Sequence, residues 1–176
     1  MLYFCLHLVR YLWCGDTAFI PRLQPHLMQI LRTLAQTKSG TKTDVVKPLT
    51  DLASSLNKKS IVILITDMLE DEDRTISTLQ NLRAMGNDVI TFQVMDDAEL
   101  NFPFNEASEF IDMENSESYI TSPAAIRQAY LDNINEFLNH CKKQCQSNGI
   151  DYCLLNTAEP LNAALSSYMT KRARSF

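Results

Sequence analysis

The sequence predicts a three-layer α/β domain, with a mostly parallel sheet and helices on both faces. Three observations carry that expectation. The runs "SIVILIT" (60–66), "DVITFQV" (88–94) and "DYCLLN" (151–156) have strand length and are continuously apolar rather than alternating. Such runs mark strands covered on both faces. Segments of helical period alternate with them, as expected of strands joined by crossover helices. A hydrophobic content of 45% over 176 residues supplies enough apolar surface for one core.

In chain order, "MLYFCLHLVRYLW" comes first. It is apolar but carries His7 and Arg10, and it is shorter than the about 20 apolar residues of a membrane span. It has no small-residue cleavage site of the kind that ends a signal peptide. Residues 1–15 are therefore an unplaced apolar segment, and the domain is taken as 16–176. A first helix is predicted from Pro25 to Thr37, with Leu27, Ile30, Leu31 and Leu34 on one face. A second follows the "SGTKTD" turn. Asp44 suits its first turn, Pro48 is tolerated near its start, and Val45, Leu49, Leu52 and Leu56 repeat at helical spacing.

The third helix is predicted from Asp73 to Met85, with Ile76, Leu79 and Leu82 inward and Gly86 as its stop. The fourth and longest has Ser122 as cap and Pro123 in its first position. Ile126, Tyr130, Ile134, Phe137, Cys141 and Cys145 form its expected buried stripe. Arg127, Asn133 and Lys142 are expected in water, and Gly149 ends the helix. A fifth helix is expected over 159–169. "FIDME" (110–114) and "SYI" (118–120) predict a short hairpin that interrupts the alternation.

Net charge is −5, and the longest basic cluster is the tail Lys171–Arg174. That argues against sequence-independent nucleic-acid binding. Five cysteines, an odd number at irregular spacing, argue against a disulfide framework and for a reducing, cytoplasmic setting.

Ligands of an open parallel sheet bind at the carboxyl ends of its strands. Asp67 ends the first predicted strand, Asp96 and Asp97 follow the second, and Thr43 sits in a turn expected on the same edge. Hydroxyl and carboxylate oxygens suit Mg²⁺ or Mn²⁺. The same residue types also cap helices and shape turns, so both readings stand. His140, Cys141 and Cys145 invite a zinc reading, but zinc needs four ligands, and only His26 and Cys153 remain to complete a set. The two cysteines on the apolar stripe read as packing residues. There is no G-x-S-x-G, H-E-x-x-H, phosphate loop or G-x-G-x-x-G, and only four glycines.

Five segments in order, "ILRTLAQTKSGTKTDVVKPL", "SIVILITDMLED", "DVITFQVMDDAELNFPF", "FIDMEN" and "NGIDYCLLNTAEPLNAAL", resemble the family called domain of unknown function 58. The resemblance runs from Asp16 to Arg172. That family is similar to von Willebrand factor A domains. The resemblance implies a Rossmann-like, von Willebrand factor A-like fold with a metal-ion-dependent adhesion site built from three loops. Thr43 matches the second loop and Asp67 the third, with Asp96 as a further candidate ligand.

The first loop, D-x-S-x-S, occurs nowhere in the sequence. The expectation is thus a domain incomplete at its amino end, with a degenerate metal site. Asp97 stands where the family commonly has Pro, and Ser116 where it commonly has Gly. No cofactor is expected to bind tightly, although complete relatives hold Mg²⁺. The resemblance further implies a non-catalytic protein-interaction module partnered with a MoxR-type AAA+ ATPase. The alternative is a metal-dependent hydrolase using Asp67, Asp96 and Asp97. A sheet lacking its upstream strand exposes an edge that Leu2–Trp13 or a second copy must cover, so a homo-oligomer is expected.

Overall fold

The computed structural model describes residues 45–174 apart from 70, 106–107 and 112–117, together with 28–29, 31–32 and 35–36. Its centre is a three-stranded parallel sheet of β1 (Ile61–Thr66), β2 (Asp88–Met95) and β5 (Asp151–Asn156), in the order β1-β2-β5. Ile63 lies beside Ile90 in the first pair of strands, and Phe92 beside Cys153 in the second. Helices α1 (Val46–Ser55), α2 (Glu72–Ala84) and α4 (Pro123–Ser147) contribute to the core on one face, and α5 (Leu161–Ala173) to the core on the other. This is a Rossmann-like α/β arrangement, as the continuous apolar runs predict. The short antiparallel pair β3 (Ser108–Ile111) and β4 (Ser118–Thr121) sits where a hairpin is expected.

The larger core joins Val62, Leu64 and Val89 of the sheet to Leu49, Ile76, Leu79, Leu82, Cys141 and Cys145 of the helices. Leu79, Leu82, Cys141 and Cys145 are fully enclosed. The second core is thinner, with Ile90, Phe92 and Leu155 under Tyr168 of α5. Asn87, just before β2, closes the amino end of the sheet. Its side-chain oxygen accepts from Ser60 N at 3.0 Å, and its amide donates to Leu82 O at 2.9 Å. Gly86 precedes it at φ +88°, a conformation glycine adopts without the Cβ penalty of other residues.

Four expectations need correction. Helix α3 (Asp97–Asn101) lies where none is predicted, because five residues are too few to show a period. The stripe of α4 is graded. Cys141 and Cys145 are buried, Tyr130, Ile134 and Phe137 are half-buried, and Ile126 is 36% exposed. Only the later part of this 25-residue helix has residues enclosed against the sheet; Tyr130, earlier in it, stacks on Phe102 after α3, with ring centroids 4.6 Å apart. Arg127, expected in water, is half-buried and donates to Phe104 O and Asn105 Oδ1. Ser122 occupies the N-cap position of α4 but makes no side-chain cap bond. Positions 28–29, 31–32 and 35–36 are helical, within the first predicted helix. Among the described residues, no helix is long and apolar enough to cross a membrane.

Candidate functional site

The carboxyl ends of the three strands bring Asp67, Asp96 and Asp97 to one edge. Thr43 lies outside the described residues. After β1 the chain turns sharply, with Met68 at φ +59° and Asp71 at φ +44°. Left-handed conformations are disfavoured for residues with a Cβ, so the surroundings must hold them. Here the hold is visible. Thr66 Oγ1 accepts from Met68 N at 3.0 Å, Asp67 Oδ1 accepts from Leu69 N at 3.2 Å, and the Met68 side chain is buried in the larger core. Leu69 next to it is 53% exposed.

Gln93 locks this turn to the other strands. It is fully buried in β2, its amide donates to Asp67 O at 2.9 Å, and its oxygen accepts from Tyr152 Oη of β5 at 2.7 Å. Burial raises the pKa of Tyr152, so its hydroxyl keeps the proton it donates. One amide within β2 thus connects the turn after β1 to the first part of β5. Its signal was a carboxamide inside the mostly apolar run "DVITFQV".

The turn after β2 is fixed by the carboxylates themselves. Asp96 is the N-cap of α3. Its Oδ1 accepts from Ala98 N at 2.9 Å, and its Oδ2 accepts from Thr157 Oγ1, beyond β5, at 2.8 Å. Glu99 returns the contact by accepting from Asp96 N at 2.8 Å, a capping box. The Ala98 backbone N–H, and then the Thr157 hydroxyl, hold the Asp96 pKa below its ordinary value. Asp97 Oδ1 accepts from both Asn101 and Asn156, at 2.8 and 2.9 Å. Asn156 and Thr157 were not singled out in the sequence; their only signal was a polar end to the third strand.

Both carboxylates after β2 therefore shape turns, and Asp67 braces its own. Among the described residues, no three of His, Cys, Asp and Glu come together as a metal-ion group. Mg²⁺ demands near-octahedral oxygen geometry, and these carboxylates do not converge to supply it. The zinc reading fails on orientation. His140 meets Asp73 at 3.0 Å on the surface, whereas Cys141 and Cys145 face the core. Burial pushes the Cys141 thiol up to about 12 and the Cys145 thiol to about 11, so both stay protonated. Cys153 packs on the opposite face of the sheet, and His26 lies outside the described residues.

Residues 14–137 match the model of a family described as protein of unknown function DUF58. No curated protein and no solved structure matches the chain.

Proposed function

Since the chain belongs to the DUF58 family, whose function is unknown, we propose that it is a non-catalytic protein-interaction module that binds through the carboxyl edge of its sheet. One observation carries this reading: Asp96 and Asp97 take hydrogen bonds from Ala98, Thr157, Asn101 and Asn156, and so hold a fixed surface. A reacting carboxylate needs access to substrate, whereas these are spent on shape. The edge they hold is acidic and presents Leu69 beside Asp67. An exposed apolar side chain on an edge that carries carboxylates suits a partner surface that is basic around an apolar pocket. The partner class that fits the family resemblance is a MoxR-type AAA+ ATPase in the cytoplasm. Thr43 and Asp67 are the remnant of a metal-ion-dependent adhesion site, which supplies one hydroxyl and one carboxylate and does not hold Mg²⁺ tightly.

The test is calorimetry of the full chain with a MoxR-type ATPase encoded beside it. Binding is expected that weakens in Leu69→Glu and is unchanged in Met85→Lys, a substitution at an exposed residue away from this edge. Absence of a complex would defeat the partner assignment. Metal-dependent phosphoester hydrolysis abolished by Asp67→Ala would defeat the non-catalytic reading. For the metal, titration of Mg²⁺ and Mn²⁺ is expected to show no micromolar binding; such binding, lost in Asp67→Ala, would show that other ligands complete the site.

A further inference from the structure

We propose that Asn148 is a site of spontaneous modification: its carboxamide cyclises onto Gly149 N and ends as aspartate or isoaspartate, at a rate set by opening of the turn that closes α4. Asn148 is the sole asparagine of the chain that is followed by glycine. Glycine has no Cβ, so nothing shields the attacking nitrogen. Both residues are exposed, and water reaches them. The step balances with water alone. Gly149 N gives its proton to hydroxide and bonds to Asn148 Cγ. The Cγ–Nδ2 bond breaks, and Nδ2 takes a proton from water and leaves as ammonia. Water then adds to one of the two carbonyls of the five-membered imide. Cleavage at Cγ gives aspartate with the original main chain. Cleavage at the main-chain carbonyl gives isoaspartate, whose main chain is one carbon longer.

In the folded chain the turn opposes the first bond. Asn148 lies at ψ 12°, which leaves Gly149 N nearly eclipsed with the Asn148 nitrogen. A five-membered ring needs it eclipsed with Cβ instead. Gly149 N, at φ +68°, donates to Gln146 O at 3.1 Å, and Ile150 N donates to Cys145 O at 3.0 Å. These are the two bonds of a Schellman cap. The leaving amide is held too, since Nδ2 donates to Gln144 O at 2.7 Å. Ile150 is 2% exposed and shares the larger core with Cys145, so the cap is anchored on its far side. The reaction therefore runs from the opened turn. Its rate in the folded chain is the opened fraction multiplied by the rate in the unfolded chain.

The product lies beside the joint at the amino end of the sheet. Arg83 of α2 packs against Gly149, with its Nε 3.4 Å from where a Cβ there would sit. Its Nη1 donates to Asn87 O at 2.8 Å. A carboxylate at position 148 competes with that carbonyl for the guanidinium. It also adds negative charge to the carboxyl end of α4, where the helix dipole disfavours it. Isoaspartate goes further, because its longer main chain displaces Gly149 and Ile150 from both cap bonds. Modification at this one exposed residue therefore loosens the turn from which β5 starts.

The test is incubation of the full chain in mildly alkaline buffer, once folded and once in guanidinium chloride. Peptide mass spectrometry reads the change from amide to acid, and isoaspartyl methyltransferase labelling reads the branched product. Conversion at Asn148 is expected in both, and about tenfold or more slower in the folded chain. In guanidinium chloride it should outpace conversion at Asn139, which lies in the same helix but precedes histidine. Ile150→Val thins the anchor of the cap without altering the reacting pair. It is expected to raise the folded rate several-fold and leave the unfolded rate unchanged. Asn148→Gln should abolish the labelling at this turn. Absence of conversion at Asn148 in guanidinium chloride would overturn the proposal. So would equal rates in the folded and unfolded chain, or a folded rate unmoved by Ile150→Val, because the turn would then not be the gate.

Discussion

The two ends of the sheet solve the same problem differently. Aspartates open and follow the strands at both. At the amino end, Asp88 and Asp151 begin β2 and β5 and share one cation: Arg172 of α5 donates to both, and also to Tyr168 Oη at 2.9 Å. At the carboxyl end, among the described residues, Asp96 and Asp97 receive neutral donors: amides, a hydroxyl and a backbone N–H. One end closes its charge with an arginine that is 16% exposed. The other is built to stay negative while being held still. A surface that keeps its charge can recognise a partner, whereas a surface that cancels it serves to fasten a helix.

The sharpest way to break this comparison is Gln93→Ala. The substitution strips partners from the half-buried Tyr152 hydroxyl and Asp67 carbonyl, and orphaning a fully buried group costs about 1–3 kcal/mol. Denaturant unfolding is expected to show a loss of about 1–3 kcal/mol for the pair, insensitive to salt because no ion pair is involved. A loss confined to a few tenths would mean that the turn after β1 is not locked to β2 and β5 through this amide.

Arg172→Met tests the opposite end. Asp88 and Asp151 are 39% and 44% exposed, so water takes up much of what the arginine gave. About 1–2 kcal/mol is expected, between the range for exposed ion pairs and that for hydrogen bonds to charged groups. The difference from the unaltered chain should shrink at high salt, since the Debye length falls to about 3 Å at 1 M. A salt-independent difference would assign the role of Arg172 to packing of its stem on Tyr168.

The smallest effect is that of Asp96 on the pH dependence of stability. Its folded pKa lies below the ordinary 3.8, so the unfolded chain binds more protons in that range. Its contribution is present above pH 3.8 and lost as the pH falls through the lower folded value. Unfolding free energies of the native chain and Asp96→Asn are expected to differ above that window and to converge below it. A difference that persists at the acid end would show that the cap acts through shape alone.

The strands and the main crossover helix were legible because their signal is local: five apolar residues in a row, Ile61–Ile65, then Ile76, Leu79 and Leu82 at helical spacing. Helix α3 was missed for want of length, although Asp96 and Glu99 spell a capping box at three-residue spacing. Periodicity placed one stripe on α4 but does not reveal where a helix leaves its sheet, so Ile126 was expected inside. The edge was legible in its carboxylates and not in their roles. Asp67, Asp96 and Asp97 were chosen as potential ligands, and the donors that occupy them, Asn101, Asn156 and Thr157, come together only when the strands align. Thr43 lies outside the described residues, and the metal reading rests on it.

The two parallel joints of the sheet are closed by connections of unequal length. The bond from Ser60 to Asn87 spans 27 residues, and that from Tyr152 to Gln93 spans 59. Loop-closure entropy grows only with the logarithm of length, about 0.6 kcal/mol per doubling, so the longer joint is hardly worse to form than the shorter. Lengthening or trimming the β3–β4 hairpin within that connection should therefore be tolerated, and the protein can diversify there without reworking its core. The shorter joint has less latitude: most of its described residues from Ser60 to Asn87 belong to β1, α2 or the turns that flank them.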